Sequence, residues 1–81
     1  MSIQVLFFAS LSEITGQRRF DLDASAFPDA SSIYDRFARE FPGLNMHRSS
    51  LLCSINSEFA RLDTKVHDGD EVAFFPPMSG G

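Results

Sequence analysis

Cysteine and tryptophan are scarce in this chain, which has one cysteine and no tryptophan. The single Cys53 excludes an internal disulfide and any cysteine-rich metal site. In a strand at residues 51–55, successive side chains point to opposite faces, so Cys53 lies on the apolar face beside Leu51 and Ile55. This position predicts a buried and inert thiol. His47 and His67 have no partner at metal-ligand spacing, so we expect no bound metal.

Basic residues are also few: the chain has 7 of them against 11 acidic residues, for a net charge of -4. The only basic cluster, Arg18 and Arg19, is too short for a nucleic-acid interface, which needs clustered positive charge. The apolar run at residues 5–9 is too short to span a membrane, and no Lys or Arg precedes it as in a signal peptide. We therefore expect a cytoplasmic protein with no nucleic-acid or membrane partner.

The 81 residues are 43% hydrophobic and include nine Phe, which suits one small domain. Alternation predicts a strand at residues 3–9, with Ile3, Val5 and Phe7 on one face and Phe8 on the other. A helical turn at residues 10–15, ended by Gly16, precedes a second strand at residues 18–23. The two strands are expected to pair as a hairpin.

One long helix follows. Asp29 or Ser31 is its candidate N-cap, and Pro42 with Gly43 ends it. Between them lies an apolar stripe at helical spacing, which predicts a core-facing side. Its members are Ile33, Tyr34, Phe37, Ala38 and Phe41.

Three shorter strands complete the pattern, at residues 51–55, 59–62 and 71–75. The dipeptide Asn56-Ser57 predicts a tight turn, and Asp68-Gly69-Asp70 a second turn rather than a calcium loop. The order is ββαβββ, and a single helix covers one face of a mixed sheet, which is an α+β architecture. We predict a β-grasp (ubiquitin-like) roll over residues 1–75, with the last strand central and parallel to the first.

The remaining residues 76–81 are predicted to form an extended tail that ends in Gly80-Gly81. Proline fixes its own φ and favours extended geometry in the residue before it, so Pro76 and Pro77 hold the tail away from the domain. Glycine has no Cβ, so Gly80 and Gly81 fit a channel too narrow for other residues. We therefore predict that the carboxylate of Gly81 is the reactive group.

No catalytic set is visible elsewhere in the chain, since no phosphate-binding loop, zinc motif or nucleophile with a suitably spaced base is present. We expect the isolated chain to have no activity of its own.

Two segments resemble the small subunit of molybdopterin synthase, the MoaD family. They are Val-Leu-Phe-Phe-Ala at residues 5–9 and Asp-Gly-Asp-Glu-Val-Ala-Phe-Phe-Pro-Pro-Met-Ser-Gly-Gly at residues 68–81. The resemblance covers the whole chain. One departure is Ser12, where a basic residue is usual before Glu13, and this puts one polar contact with the large subunit in doubt.

The resemblance implies a sulfur carrier for molybdenum cofactor biosynthesis. A partner activating enzyme uses ATP to adenylate the carboxylate of Gly81, which then becomes a thiocarboxylate. The tail enters the large subunit, in a heterotetrameric synthase, and delivers sulfur to a pterin precursor. The catalytic pocket lies on the large subunit, and the carrier binds no cofactor itself.

Two alternatives share the same tail: a carrier for thiazole or cysteine synthesis, and a ubiquitin-like protein modifier. Carriers for thiazole synthesis resemble the chain but usually lack the double proline, so Phe75-Pro76-Pro77 favours the molybdopterin reading. Because activation of the carboxylate is common to all three, the tail itself does not distinguish them.

Alternation also predicts where a partner binds. Phe8 and Phe75 are expected to meet on the sheet face that the helix leaves uncovered, and Phe59 to extend this patch. Clustered exposed aromatic rings beside a reactive tail are typical of a binding surface. The predicted partner-binding residues are Phe8, Phe59, Phe75, Pro76, Pro77, Met78, Ser79 and Gly80.

Overall fold

The computed structural model describes residues 2–23 and 27–77 as a mixed sheet with one long helix on one face. The strands are β1 (Ser2–Phe7), β2 (Arg19–Asp23), β3 (Leu52–Ile55), β4 (Glu58–Ala60) and β5 (Glu71–Phe75). The helices are α1 (Ser10–Thr15) and α2 (Ala30–Glu40), and a 3₁₀ segment spans Pro42–Ser50. Within the described ranges, no helix has the length and apolar character needed to cross a bilayer.

The strand order is β2-β1-β5-β3-β4, with β5 central and parallel to β1. The other neighbouring pairs are antiparallel. The register between β1 and β5 pairs Val5 with Val72 and Phe7 with Phe74. This is the β-grasp arrangement that the element order predicted.

The helix α2 forms where the sequence predicted because its N-terminus is capped by Asp29. The Asp29 carboxylate accepts a hydrogen bond from the backbone N–H of Ser32, and the Ser32 hydroxyl faces the Asp29 N–H in return. Such a capping box satisfies donors that the first helical turn leaves free.

The apolar face of α2 packs on β1 and β5. The buried residues of this core are Ile3, Val5, Phe7, Leu11, Ala30, Ile33, Tyr34, Phe37, Ala38, Leu44, Cys53, Val66, Val72 and Phe74.

The 3₁₀ segment, which the sequence analysis did not predict, is fixed to α2 by polar contacts. The hydroxyl of Tyr34 is fully buried and donates to the carbonyl of Leu44 at 2.7 Å. On the surface, Arg48 forms an ion pair with Asp35 at 3.0 Å and donates to the hydroxyl of Ser31. The mixed polar composition of this segment, with Leu44 as its one buried residue, hid its regular structure.

Strand ends were predicted less accurately than strand positions. The first strand ends at Phe7 rather than at residue 9, because Ala9 has φ 53° and begins the turn into α1. The carbonyl of Ala9 accepts from both the N–H and the hydroxyl of Ser12, which stabilises that turn. The fourth strand ends at Ala60, and Leu62 packs against the core from the following loop.

Tyr34 makes stability depend on pH in the alkaline range. Burial, reinforced by the nearby Asp35 and opposed by Arg48, raises the pKa of Tyr34 from 10.0 to about 12. Between these values the unfolded chain releases the phenolic proton while the folded chain keeps it. The free energy of unfolding should therefore fall with rising pH, by roughly 1 kcal/mol per pH unit.

Replacement of Tyr34 by Phe isolates this effect. Below pH 10, Tyr34→Phe should be about 1 kcal/mol less stable than wild type, because it loses the bond to Leu44. This difference should shrink in urea titrations from pH 10 upward. Tyr34 is the one tyrosine of the chain, so its phenolate absorbance reports the pKa directly. A native titration at the ordinary tyrosine value would contradict the assignment.

Candidate functional site

The uncovered face of the sheet carries a pair of stacked phenylalanine rings. Phe8 continues β1 by one residue, and its N–H donates to the carbonyl of Phe74 at 3.1 Å. The rings of Phe8 and Phe75 lie 4.9 Å apart between centroids and are inclined by only 8°. The prediction that these two residues meet is confirmed, and their stacking follows from the parallel pairing of β1 with β5.

A third ring reaches this pair from the edge of the sheet. The tight turn at Asn56 and Ser57 has φ of 53° and 72°, the left-handed geometry of a two-residue hairpin. It sends β4 back along β3 so that Phe59 pairs with Ser54. Phe59 is 79% exposed, and its ring lies 6.1 Å from that of Phe75.

The side chain of Asn56 fixes this hairpin to β5. Its amide nitrogen donates to the carboxylate of Asp70 at 2.9 Å, and its amide oxygen accepts from the N–H of Glu71 at 3.0 Å. The backbone N–H of Asn56 donates to the carbonyl of Glu71 at 2.8 Å. These bonds link the two turns that the sequence predicted, and they hold Phe59 beside Phe75.

Together these side chains line a shallow depression on the sheet, which we call the open-face groove. Its volume of about 270 Å³ is near the lower end of the range for small-molecule sites, and it suits protruding side chains of a partner. Sequence reasoning missed the residues between the aromatic rings because alternation assigns a face but does not give the register between strands. The groove is lined by Leu6, Phe8, Ser54, Ser57, Phe59, Glu71, Ala73 and Phe75.

The one cysteine of the chain lies outside the groove. Cys53 lies on the opposite side of the sheet, is buried, and directs its thiol to the carbonyl of Ala60 at 3.3 Å. Burial raises the pKa of the Cys53 thiol, which keeps it protonated and unreactive. Across residues 2–23 and 27–77, no three His, Cys, Asp or Glu side chains cluster as a metal site would require.

The predicted tail begins directly beside the groove. Pro76 and Pro77 follow Phe75 at the end of β5, and Pro77 is exposed. The predicted residues Met78, Ser79, Gly80 and Gly81 lie outside the described part of the chain. Their functional roles, like the partner-binding roles of the aromatic residues, stay predictions.

Near the start of α1, Ser12 uses its hydroxyl within the chain, donating to the carbonyl of Ala9 at 2.7 Å. Glu13 beside it is exposed. At this position the chain therefore presents a carboxylate without the basic neighbour expected from the resemblance.

The mixed sheet with β5 at its centre, together with the long helix α2 on one face, defines a ubiquitin-like protein of the β-grasp class. Comparison with known proteins gives the family. The ThiS family matches residues 5–81. A curated relative, the molybdopterin synthase sulfur carrier subunit of Escherichia coli, is 36% identical over 98% of this chain and 99% of its own length. The chain belongs to the ThiS family, among the molybdopterin synthase sulfur carrier subunits.

Solved structures agree on the fold. SAMP1 of Haloferax volcanii superposes with a TM-score of 0.79 at 28% identity, with full coverage of both chains. A Helicobacter pylori structure, described as a complex of subunits 1 and 2 of molybdopterin-converting factor, gives a TM-score of 0.67 at 23% identity, again with full coverage of both chains. At that identity the second likeness concerns the fold alone.

The two faces of β5 predict different effects on stability. Phe74 is fully buried against the rings of Phe7 and Tyr34, so Phe74→Ala should cost about 3–5 kcal/mol. Phe75 is half-buried on the open face, and Phe75→Ala should cost about 1 kcal/mol because less apolar area is lost. Thermal and urea melts of the two variants measure the difference. Equal destabilisation would show that Phe75 belongs to the core.

Proposed function

We propose that the chain is the sulfur-donating subunit of a molybdopterin synthase. The full-length likeness to curated sulfur carrier subunits carries this proposal. In it, the carboxylate of Gly81 is adenylated, converted to a thiocarboxylate, and used to donate sulfur to a pterin precursor. Because the resulting dithiolene contains two sulfur atoms, two loaded carriers are consumed for each product.

The order of these steps follows from carboxylate chemistry. A carboxylate is a poor electrophile, so one of its oxygens first attacks the α-phosphate of ATP, which releases pyrophosphate. A sulfur donor at the oxidation level of sulfide then displaces AMP from the acyl adenylate. The thiocarboxylate formed is soft, nucleophilic and ionised at neutral pH, for the reason that thiolates react faster than thiols.

In the proposed division of labour, the activating enzyme holds ATP and the large subunit holds the pterin. The lining of the groove has one carboxylate, Glu71, and no phosphate-binding loop. The chain contributes a docking surface and a narrow tail. We propose that it works in the cytoplasm and holds no cofactor of its own.

A large-subunit partner is supported by the Helicobacter pylori neighbour, which was solved in complex with its subunit 2. In this chain the open-face groove offers an apolar surface, and Pro76 and Pro77 follow Phe75 at its edge. We propose that the groove binds the large subunit while the tail enters the active site of that subunit. The aromatic rings would then bring Gly81 to a fixed distance from the pterin.

A protein-modifier function is the second candidate, favoured by the likeness to SAMP1, a small archaeal modifier protein. A modifier joins its terminal carboxylate to lysine amines, whereas a sulfur carrier does not. Incubation of the loaded chain with the large subunit and pterin precursor tests the first function. Isopeptide-linked conjugates in the cell, recovered with a tagged chain, would indicate the second.

The position of the terminal carboxylate provides the sharpest test of the tail. One residue added after Gly81 displaces the carboxylate by up to about 3.5 Å. Since reacting groups must be placed to within about 1 Å, sulfur transfer should fall by at least 100-fold. Intact-mass measurement after incubation with activating enzyme, ATP and a sulfur source detects replacement of oxygen by sulfur.

A chain extended by one residue at its N-terminus is the matched control, and it should load normally. Both extended chains should have the melting temperature of wild type. Normal loading and transfer by the C-terminally extended chain would show that Gly81 is not the reactive end.

The aromatic groove predicts a defined loss of affinity for the large subunit. Each ring buried at an interface contributes ~1.5–3 kcal/mol, so Phe75→Ala or Phe8→Ala should weaken binding at least tenfold. Titration calorimetry measures the dissociation constant. Met46→Ala serves as the control because Met46 is an exposed apolar side chain in the 3₁₀ segment, away from the groove. Unchanged affinity of both Phe variants would place the interface elsewhere.

A further inference from the structure

The open face of the sheet is apolar at one end and acidic at the other. Strand register divides this face into rows that run across the strands. The row nearest the tail contains Phe75 with its partner Leu52, and Phe8 stacks on Phe75. The next row runs from Arg19 through Leu6, Ala73 and Ser54 to Phe59.

The row farther from the tail is polar. Gln4 pairs with Asp21 on one side and with Glu71 on the other, so the two carboxylates flank one glutamine on neighbouring strands. We call Asp21, Gln4 and Glu71 the acidic row. It lies four residues along β1 from Phe8, which corresponds to about 13 Å.

Both carboxylates of the acidic row face outward without an internal cation. Phe20 and Leu22 pack against the core, so alternation directs Asp21 to the open face. Glu71 lines the open-face groove directly. Neither Asp21 nor Glu71 belongs to the ion pairs that Glu40, Asp35 and Asp63 form with arginine side chains in the described part of the chain. Arg19 is the one cation that the register places on this face, and it lies in the row nearer the tail.

We propose that the acidic row binds two cationic side chains of the protein that occupies the open-face groove. The occupant is therefore a surface with an apolar patch and, about 13 Å away, Lys or Arg side chains. This inference deepens the proposed function and rests on it, because the occupant is the large subunit. A docking surface with one apolar and one charged end allows the large subunit to bind in only one orientation. In that orientation, the apolar end of the surface places the tail at the entrance to the active site of the large subunit.

The physical effect of such a row lies mainly in association rate. Exposed ion pairs add little affinity, since water and salt screen them. Charges at the edge of an interface nevertheless steer the encounter and suppress wrong orientations. The stacked rings hold the complex together, and the acidic row selects its orientation.

The test compares two double variants of equal net charge. Asp21→Asn/Glu71→Gln removes the acidic row, whereas Glu40→Gln/Asp63→Asn removes two exposed acids that belong to α2 and to a loop. Binding to the recombinant large subunit is followed by stopped-flow or surface plasmon resonance. At low salt, the first variant should associate about tenfold more slowly than wild type, and the control should change less than about twofold.

Added salt should remove the difference. At about 1 M ionic strength the screening length falls to about 3 Å, so wild type and the acidic-row variant should associate at similar rates. Equal slowing of both double variants would show only a net-charge effect and overturn the inference. An unchanged association rate of the acidic-row variant would also overturn the inference, while the proposed function would stand. If wild type did not bind the large subunit at all, both the inference and the proposed function would be overturned.

Discussion

The parallel pairing of β1 with β5 is the constraint on which the rest of this structure depends. It joins the first strand of the described chain to the last, and the register places Val5 beside Val72 and Phe7 beside Phe74. These four side chains are fully buried beneath the sheet. On the other side, the same pairing brings Phe8 onto Phe75. Core and groove are therefore two consequences of one strand alignment, because successive residues of a strand point to opposite faces.

Much of this arrangement could be predicted from the sequence, since its strands alternate clearly and α2 has both a cap and an apolar stripe. The stacking of Phe8 on Phe75 followed once β1 and β5 were taken as neighbours. The roles of Ser54, Ala73 and Glu71 in the groove could not be predicted, because they depend on register across β3, β5 and β1. The side-chain bonds of Asn56 to β5 were hidden for the same reason, since they join residues 14 and 15 positions apart.

The 3₁₀ segment shows a different limit of sequence reasoning. Its residues have weak periodicity, and it is stabilised by tertiary contacts such as the Tyr34 hydroxyl on Leu44 and the Arg48 side chain on Asp35. Local propensity is a weak guide where tertiary contacts decide the structure. The segment supports the side of α2 away from the groove, so its omission did not affect the predicted site.

The proposed sulfur-carrier function gives a reason for an apolar groove at the end of β5. Under the proposed function the chain meets an activating enzyme and a synthase in turn, so very tight binding to either partner would slow exchange between them. A small apolar contact gives moderate affinity, and exposed charges beside it change the rate and direction of docking more than its strength. The open face meets both needs, with apolar contact near Phe75 and the carboxylates of Asp21 and Glu71 at the far end. In the proposed function, the orientation of the partner is set before the tail reaches the active site, where a small error in position would cost most of the rate.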